Sequence, residues 1–145
     1  MNKLLKISFA CLILSLLFKY GVEMYVNRGV DYPEGPTVKA EELFIDIDTN
    51  TFYTSTNMAE KDKFSGTSVR HYINGEMMAK AGVYKGKLHG PFDSWYPNGE
   101  KQMSLIWENG EKFRRFRAFL SNGDRVKGNG NELGKKVFSG EIILE

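Results

Sequence analysis

"GKLHGPFDSWYPNGEKQ", residues 86–102, spaces glycine and Asn-Gly through a run rich in strand-forming aromatics. Two readings compete for it: a phosphate-gripping loop, or the corners of a repeated hairpin. A phosphate cradle needs its glycines clustered between a strand and a helix whose first amides point at the anion. Here they stand one per turn, and no helical period follows any of them. They are corners.

Outward from this stretch the chain repeats. Asn74-Gly75, Asn98-Gly99 and Asn122-Gly123 recur at 24 residues, and Gly86, Gly110 and Gly134 recur at the same 24, so the glycines alternate in steps of 11 and 13. Each step holds one strand and one turn. Tyr72, Tyr96 and Leu120 stand two places before each asparagine; a second column is His71, Trp95 and Phe119, and a third runs Ser68, Phe92 and Phe116. In the returning strands Ala79, Ala81 and Val83 correspond to Met103, Leu105 and Trp107. Columns at constant offset predict that the same face of each hairpin packs on the same face of the next. Asn-Gly predicts two-residue turns with both central residues at positive φ, since these two types adopt it at least cost.

The segments "YKGKLHGPFDSWYPNGEKQ" and "IWENGEKF" resemble the bacterial variant of the MORN repeat. Together with "EEL", "FYTST" and "FSG", the resemblance covers about residues 41–145 and extends to the YwqK-type antitoxin-like family. It implies an all-β fold: antiparallel β-hairpins forming an elongated twisted sheet, with no catalytic residues of its own. Eukaryotic MORN proteins are associated with membranes, lipids and scaffolding, and the bacterial variants with toxin neutralisation. The repeats are placed at about 66–89, 90–113 and 114–137. Arg114 stands where Gly66 and Gly90 predict glycine and "RVKGNGNELGKKVFSG" loses the aromatics, so the last repeat is a degenerate one, with 138–145 as a closing edge strand.

Ahead of the repeats, residues 1–20 carry Lys3 and Lys6, an uncharged run from Ile7 to Phe18, and then Lys19. This is an export signal, read as a hydrophobic helix that is either cleaved or kept as a membrane anchor. The charge bias puts the domain outside, in the bacterial periplasm, tethered to the inner membrane or released into it. Residues 21–40, with glycine, proline and mixed polarity, read as a linker, and 41–66 as two short strands with Leu43, Ile45 and Ile47 alternating against Phe44, Asp46 and Asp48. Cys11 is the sole cysteine, so the folded part has neither disulfides nor thiolate metal sites. The net charge is +2 overall, but beyond residue 20 seventeen basic residues face eighteen acidic ones, giving −1 and none of the basic footprint of a nucleic-acid binder.

Enzyme signatures are missing as well. His71 shares a column with Trp95 and Phe119, which fits a planar side chain on a sheet face, and His89 sits in a turn-like "KLHGP". "DIDTN" starts like a calcium loop but has Thr51 where glycine is needed and Asn57 where glutamate is needed. No cofactor or metal is expected. What remains is binding. Tyr72, Phe92, Trp95, Tyr96 and Trp107 are divided between core and interface, and "KFRRFR" supplies Arg114, Arg115 and Arg117. Strict strand alternation puts Lys112 and Arg114 on one side, Arg115 and Arg117 on the other. The expected function is protein binding in the envelope, in its sharper form an immunity protein that covers a secreted toxin or effector. The alternative is an envelope structural module that contacts anionic lipid headgroups.

Overall fold

The computed structural model describes residues 30–145. The expected signal or anchor, 1–20, with its hydrophobic helix, lies outside the described residues, as does the first part of the expected linker, 21–29. Asp31–Glu145 form one compact unit. Its strands are β1 Thr37–Lys39, β2 Phe44–Asp46, β3 Thr51–Tyr53, β4 Gly66–His71, β5 Met77–Tyr84, β6 Lys87–Trp95, β7 Lys101–Glu108 and β8 Lys112–Ala118, followed by one helix, α1, Gly130–Phe138.

Six strands form one sheet in the order β1-β4-β5-β6-β7-β8, and β2 and β3 pair in a small second sheet. The hairpins β4 to β8 are antiparallel, whereas β1 joins β4 in parallel, Thr37 opposite Thr67, so the sheet is mixed. The end of the expected linker is therefore part of the fold. Close backbone contact admits it: the Thr67 amide donates to the Pro36 carbonyl at 3.0 Å, and a Cβ on Gly66 would stand 3.2 Å from the Pro36 nitrogen.

The repeat columns are rows across this sheet. Ser68, Ala81, Phe92 and Leu105 are successive cross-strand partners, and Phe116 closes the row in the same apolar cluster as Leu105. Beside it run Arg70, Ala79, Ser94, Met103 and Ala118. Both apolar clusters lie on this face. At the β8 end Leu105, Phe116 and Ala118 receive Leu133 and Val137 of α1; at the other end Val83 and Leu88 receive Leu43, Phe52 and Phe64. Ile45 and Ile47, expected to alternate inward with Leu43, are 47% and 82% exposed, because β2 ends at Asp46 and the chain turns there.

The corners divide into two kinds, and the expected turn type falls on the other series. At Asn74-Gly75 the Tyr72 amide donates to the Glu76 carbonyl at 2.8 Å and the Gly75 amide to the Tyr72 carbonyl at 3.0 Å, and positive φ belongs to Gly75, not Asn74. That is a three-residue loop, a type I turn closed by a left-handed glycine, and Asn98-Gly99 repeats it. Paired positive φ occurs instead at Lys85-Gly86 and Asn109-Gly110. The asparagines serve another purpose. Asn74 Nδ2 donates to the Pro97 carbonyl at 3.3 Å and Asn98 Nδ2 to the Ser121 carbonyl at 2.9 Å. Tyr72 and Tyr96 hydroxyls donate at 2.8 Å to the carbonyls of Trp95 and Phe119. Each of these bonds spans 23 residues and ties one hairpin to the next, so the 24-residue period is a bonding register as well as a packing one.

The register stops at the third unit. Leu120 has no hydroxyl, and Asn122 Nδ2 donates within its own loop to Asp124 Oδ2 at 2.9 Å. The chain then folds back along the β8 edge, the Val126 amide donating to the Ala118 carbonyl at 2.9 Å, and enters α1, capped by the Asn129 side chain. Residues 114–137 thus begin a third hairpin, its Asn122-Gly123 corner closed by the same loop and by the antiparallel Phe119–Arg125 bridge, but α1 stands where its returning strand would continue, and 138–145 contain no strand. Gly134, expected at a turn, is buried inside α1, where the helix lies against the rings of Phe113 and Phe116 too closely for a side chain.

Candidate functional site

The second face of the sheet carries a row of a different character: Val69, Lys80, Asp93, Ser104 and Arg117, each partnered across strands with the next. Asp93 is its centre. Its Oδ1 lies 2.6 Å from Lys101 Nζ, and its Oδ2 accepts from the Tyr32 hydroxyl at 3.0 Å. Lys80 Nζ stands 4.1 Å over the Tyr32 ring and Lys101 Nζ 5.0 Å over the Trp95 ring. The Asp93 side chain is only 17% exposed, so the pair works in a less screened setting than an ordinary surface bridge. Burial, and then the negative charge of Asp93, pushes the Tyr32 phenol well above its ordinary pKa. Each ring–cation pair contributes on the order of 0.5–1 kcal/mol.

Local sequence explains this geometry. Asp93 and Lys101 flank the Asn98-Gly99 loop in β6 and β7, with Gln102 of β7 the extra residue opposite the Ser94–Trp95 step, a bulge that lets the two side chains meet on one face. Pro33 follows Tyr32 onto the same face at Gly82, where a Cβ would stand 2.7 Å from the proline ring. Glycine there lets the entering chain lie against the sheet.

The structure separates the expected interface residues. Tyr72 and Tyr96 bond neighbouring hairpins, and Tyr96 is 8% exposed, its phenol raised first by that burial. Phe92 and Trp107 pack onto the α1-side cluster, Trp107 at 5.6 Å from the Phe113 ring and 5.9 Å from Phe138. Trp95 is half-buried on the other face. The arginines also redistribute. Arg115 takes φ +56, a left-handed conformation, and forms a bulge opposite Leu105. The alternation slips by one, so Arg114 and Arg117, partnered with Ile106 and Ser104, share the second face instead of lying on opposite sides. Arg114 Nε pairs with Glu108 Oε1 at 2.8 Å.

Sequence reasoning missed Tyr32, Lys80, Asp93 and Lys101. The signal for Asp93 and Lys101 was opposite charge on the two strands that flank one Asn-Gly loop; Tyr32 sat in a stretch read as linker and had none. His89, expected in a turn, lies in β6, with its Nδ1 3.1 Å from Oδ1 of Asn109 in the β7–β8 turn, and His71 is exposed at the end of β4. Among the described residues no three His, Cys, Asp or Glu side chains are grouped to hold a metal ion, and no helix is long and apolar enough to cross a membrane. In comparisons with family models, curated proteins and solved structures, nothing matches this chain.

Proposed function

We propose that this chain is a non-catalytic, protein-binding MORN-variant repeat module of the bacterial envelope, and that its sharper role is immunity, covering a toxin or secreted effector. The observation that supports protein binding is the division of labour between the sheet faces. One face is sealed by the β2–β3 hairpin and α1, while the other presents Trp95, Ile106, Arg114 and Arg117 around the Asp93–Lys101 pair. A half-buried tryptophan and two arginines on one sheet face are the residue types that concentrate binding energy. The envelope location rests on the charged and apolar pattern of residues 1–20, and immunity on the resemblance of the repeats.

The test is affinity capture from envelope extract with wild-type chain and a folded Trp95→Ala/Arg117→Ala variant, followed by titration of the purified partner. A stoichiometric protein whose affinity falls at least about tenfold in the variant supports the reading, since hot-spot truncations cost about 2 kcal/mol or more. Equal binding by the variant refutes the assigned face. Retention of anionic vesicles alone, weakening with salt, replaces it with the lipid-contacting envelope reading.

A further inference from the structure

The chain contains five Asn-Gly pairs, at 74, 98, 109, 122 and 129, each able in principle to lose ammonia. The glycine nitrogen gives up its proton and attacks the asparagine Cγ, the new C–N bond forms a five-membered succinimide, and the side-chain nitrogen leaves as ammonia. Water then opens the ring at either carbonyl, leaving aspartate or isoaspartate. The step needs the asparagine amide and the following backbone nitrogen to move together, so any bond holding either group to another element opposes it.

Four pairs are held in this way. Asn74 and Asn98 bond through Nδ2 to carbonyls of the next hairpin. At Asn109-Gly110 the nucleophile is held, the Gly110 amide donating to the Leu88 carbonyl on β6 at 2.7 Å. At Asn129-Gly130 the pair is locked into the start of α1, the Asn129 Oδ1 accepting from the Asn131 amide at 3.2 Å and the Asn129 carbonyl from the Leu133 amide at 2.7 Å. Asn122-Gly123 differs. Its Oδ1 accepts from the Asp124 amide at 2.9 Å, its Nδ2 donates to Asp124 Oδ2 at 2.9 Å, and the Gly123 amide donates to the Leu120 carbonyl at 2.9 Å, all inside one exposed loop. The ties from this loop to other elements are at Ser121, whose amide and carbonyl meet the Glu145 carbonyl and Asn98 Nδ2. Neither reacting group takes part in them.

We infer that Asn122 is the preferred site of spontaneous deamidation in the folded protein, and that the hairpin-to-hairpin bonds shield the earlier asparagines of the repeat. The modification places a second carboxylate beside Asp124 at the open end of the register. Full chain is incubated at mildly alkaline pH and 37 °C, digested, and the five peptides are followed by mass spectrometry, with a parallel sample in concentrated urea. The expected result is that Asn122 converts fastest in the folded chain, by roughly fivefold over Asn74 and Asn98, the factor corresponding to one typical net hydrogen bond. In urea the five should convert at comparable rates. A different asparagine leading in the folded sample, or the same order persisting in urea, overturns the inference. Asn122→Ala must remove the leading signal without hastening the others; if it hastens Asn98, the shielding of that site does not come from the Ser121 carbonyl alone and the proposal fails in that part.

Discussion

Replacing Gly134 separates two physical roles that a glycine can have. In α1 its absent side chain makes room for aromatic rings: a Cβ there would stand 2.7 Å from Phe113 Cζ, closer still to Phe113 Cε2, and 2.9 Å from Phe116 Cγ. Phe113 cannot swing away freely, since its ring is packed at 5.6 Å from Trp107, 5.9 Å from Phe116 and 5.3 Å from Phe138. Overpacking of this kind costs about 1–3 kcal/mol. Alanine recovers about 1 kcal/mol of helix propensity, which offsets part of the cost, whereas asparagine recovers less and is larger. Gly134→Ala should therefore destabilise by roughly 1 kcal/mol and Gly134→Asn by about 3 kcal/mol. In thermal unfolding, these are shifts of about 4 °C and 12 °C for a domain of this size. A turn glycine at positive φ gives the opposite order, because asparagine tolerates that conformation better than alanine does. Gly134→Asn as stable as wild type, or more stable than Gly134→Ala, would refute the packing argument.

Other perturbations follow from the same contacts. Asp93→Ala leaves the Tyr32 hydroxyl and the Lys101 ammonium without their shared acceptor, and urea denaturation should register a loss of about 1–3 kcal/mol, while Lys101→Met, which keeps the stem over Trp95, should lose less. Asp46, half-buried at the end of β2, is held below its ordinary pKa, chiefly by the Thr49 hydroxyl and further by the Thr49 and Asp48 amides of the turn that follows. Its contribution is complete above the unfolded carboxylate value near pH 4 and is lost as pH falls through the lowered folded value, so the protection of the amides in that turn, their exchange rate compared with the intrinsic rate at the same pH, should fall on acidification. Asp46→Asn should remove that acid dependence.

How much of this was legible depended on whether the cause was local. The hairpin spacing, the two strands of 41–66 and the row Ser68–Phe92–Phe116 could be read directly, because alternation and turn glycine operate within a few residues. The turn types could not. Asn-Gly suits a two-residue turn by itself, but Asn74 and Asn98 reach carbonyls 23 residues away, and a three-residue loop aims them there. The helix was hidden for a similar reason. "GNELGKKVF" contains two glycines and is a poor helix by propensity, yet Leu133 and Val137 four apart meet the Phe116 and Ala118 cluster, and tertiary burial decides. Its one local cue was Asn129 as a cap. Arg115 illustrates the limit at the candidate site: a single left-handed residue within a strand brought Arg114 and Arg117 onto one face, and no alternation rule anticipates where a bulge will fall.

The claim on which the account rests is that the repeat is a chain of sideways bonds, each hairpin held by the tyrosine of the one before it. The most direct measurement is the unfolding free energy of Tyr96→Phe, Tyr72→Phe and Leu120→Tyr in urea. Tyr96→Phe and Tyr72→Phe remove only a hydroxyl bonded at 2.8 Å, and each should cost about 1 kcal/mol, with Tyr96 the greater because it is more deeply buried. Leu120→Tyr has no following hairpin to receive its hydroxyl and should change little. Neutral Tyr→Phe substitutions, or a Leu120→Tyr that stabilises as much as they destabilise, would contradict the claim and leave the period to packing alone.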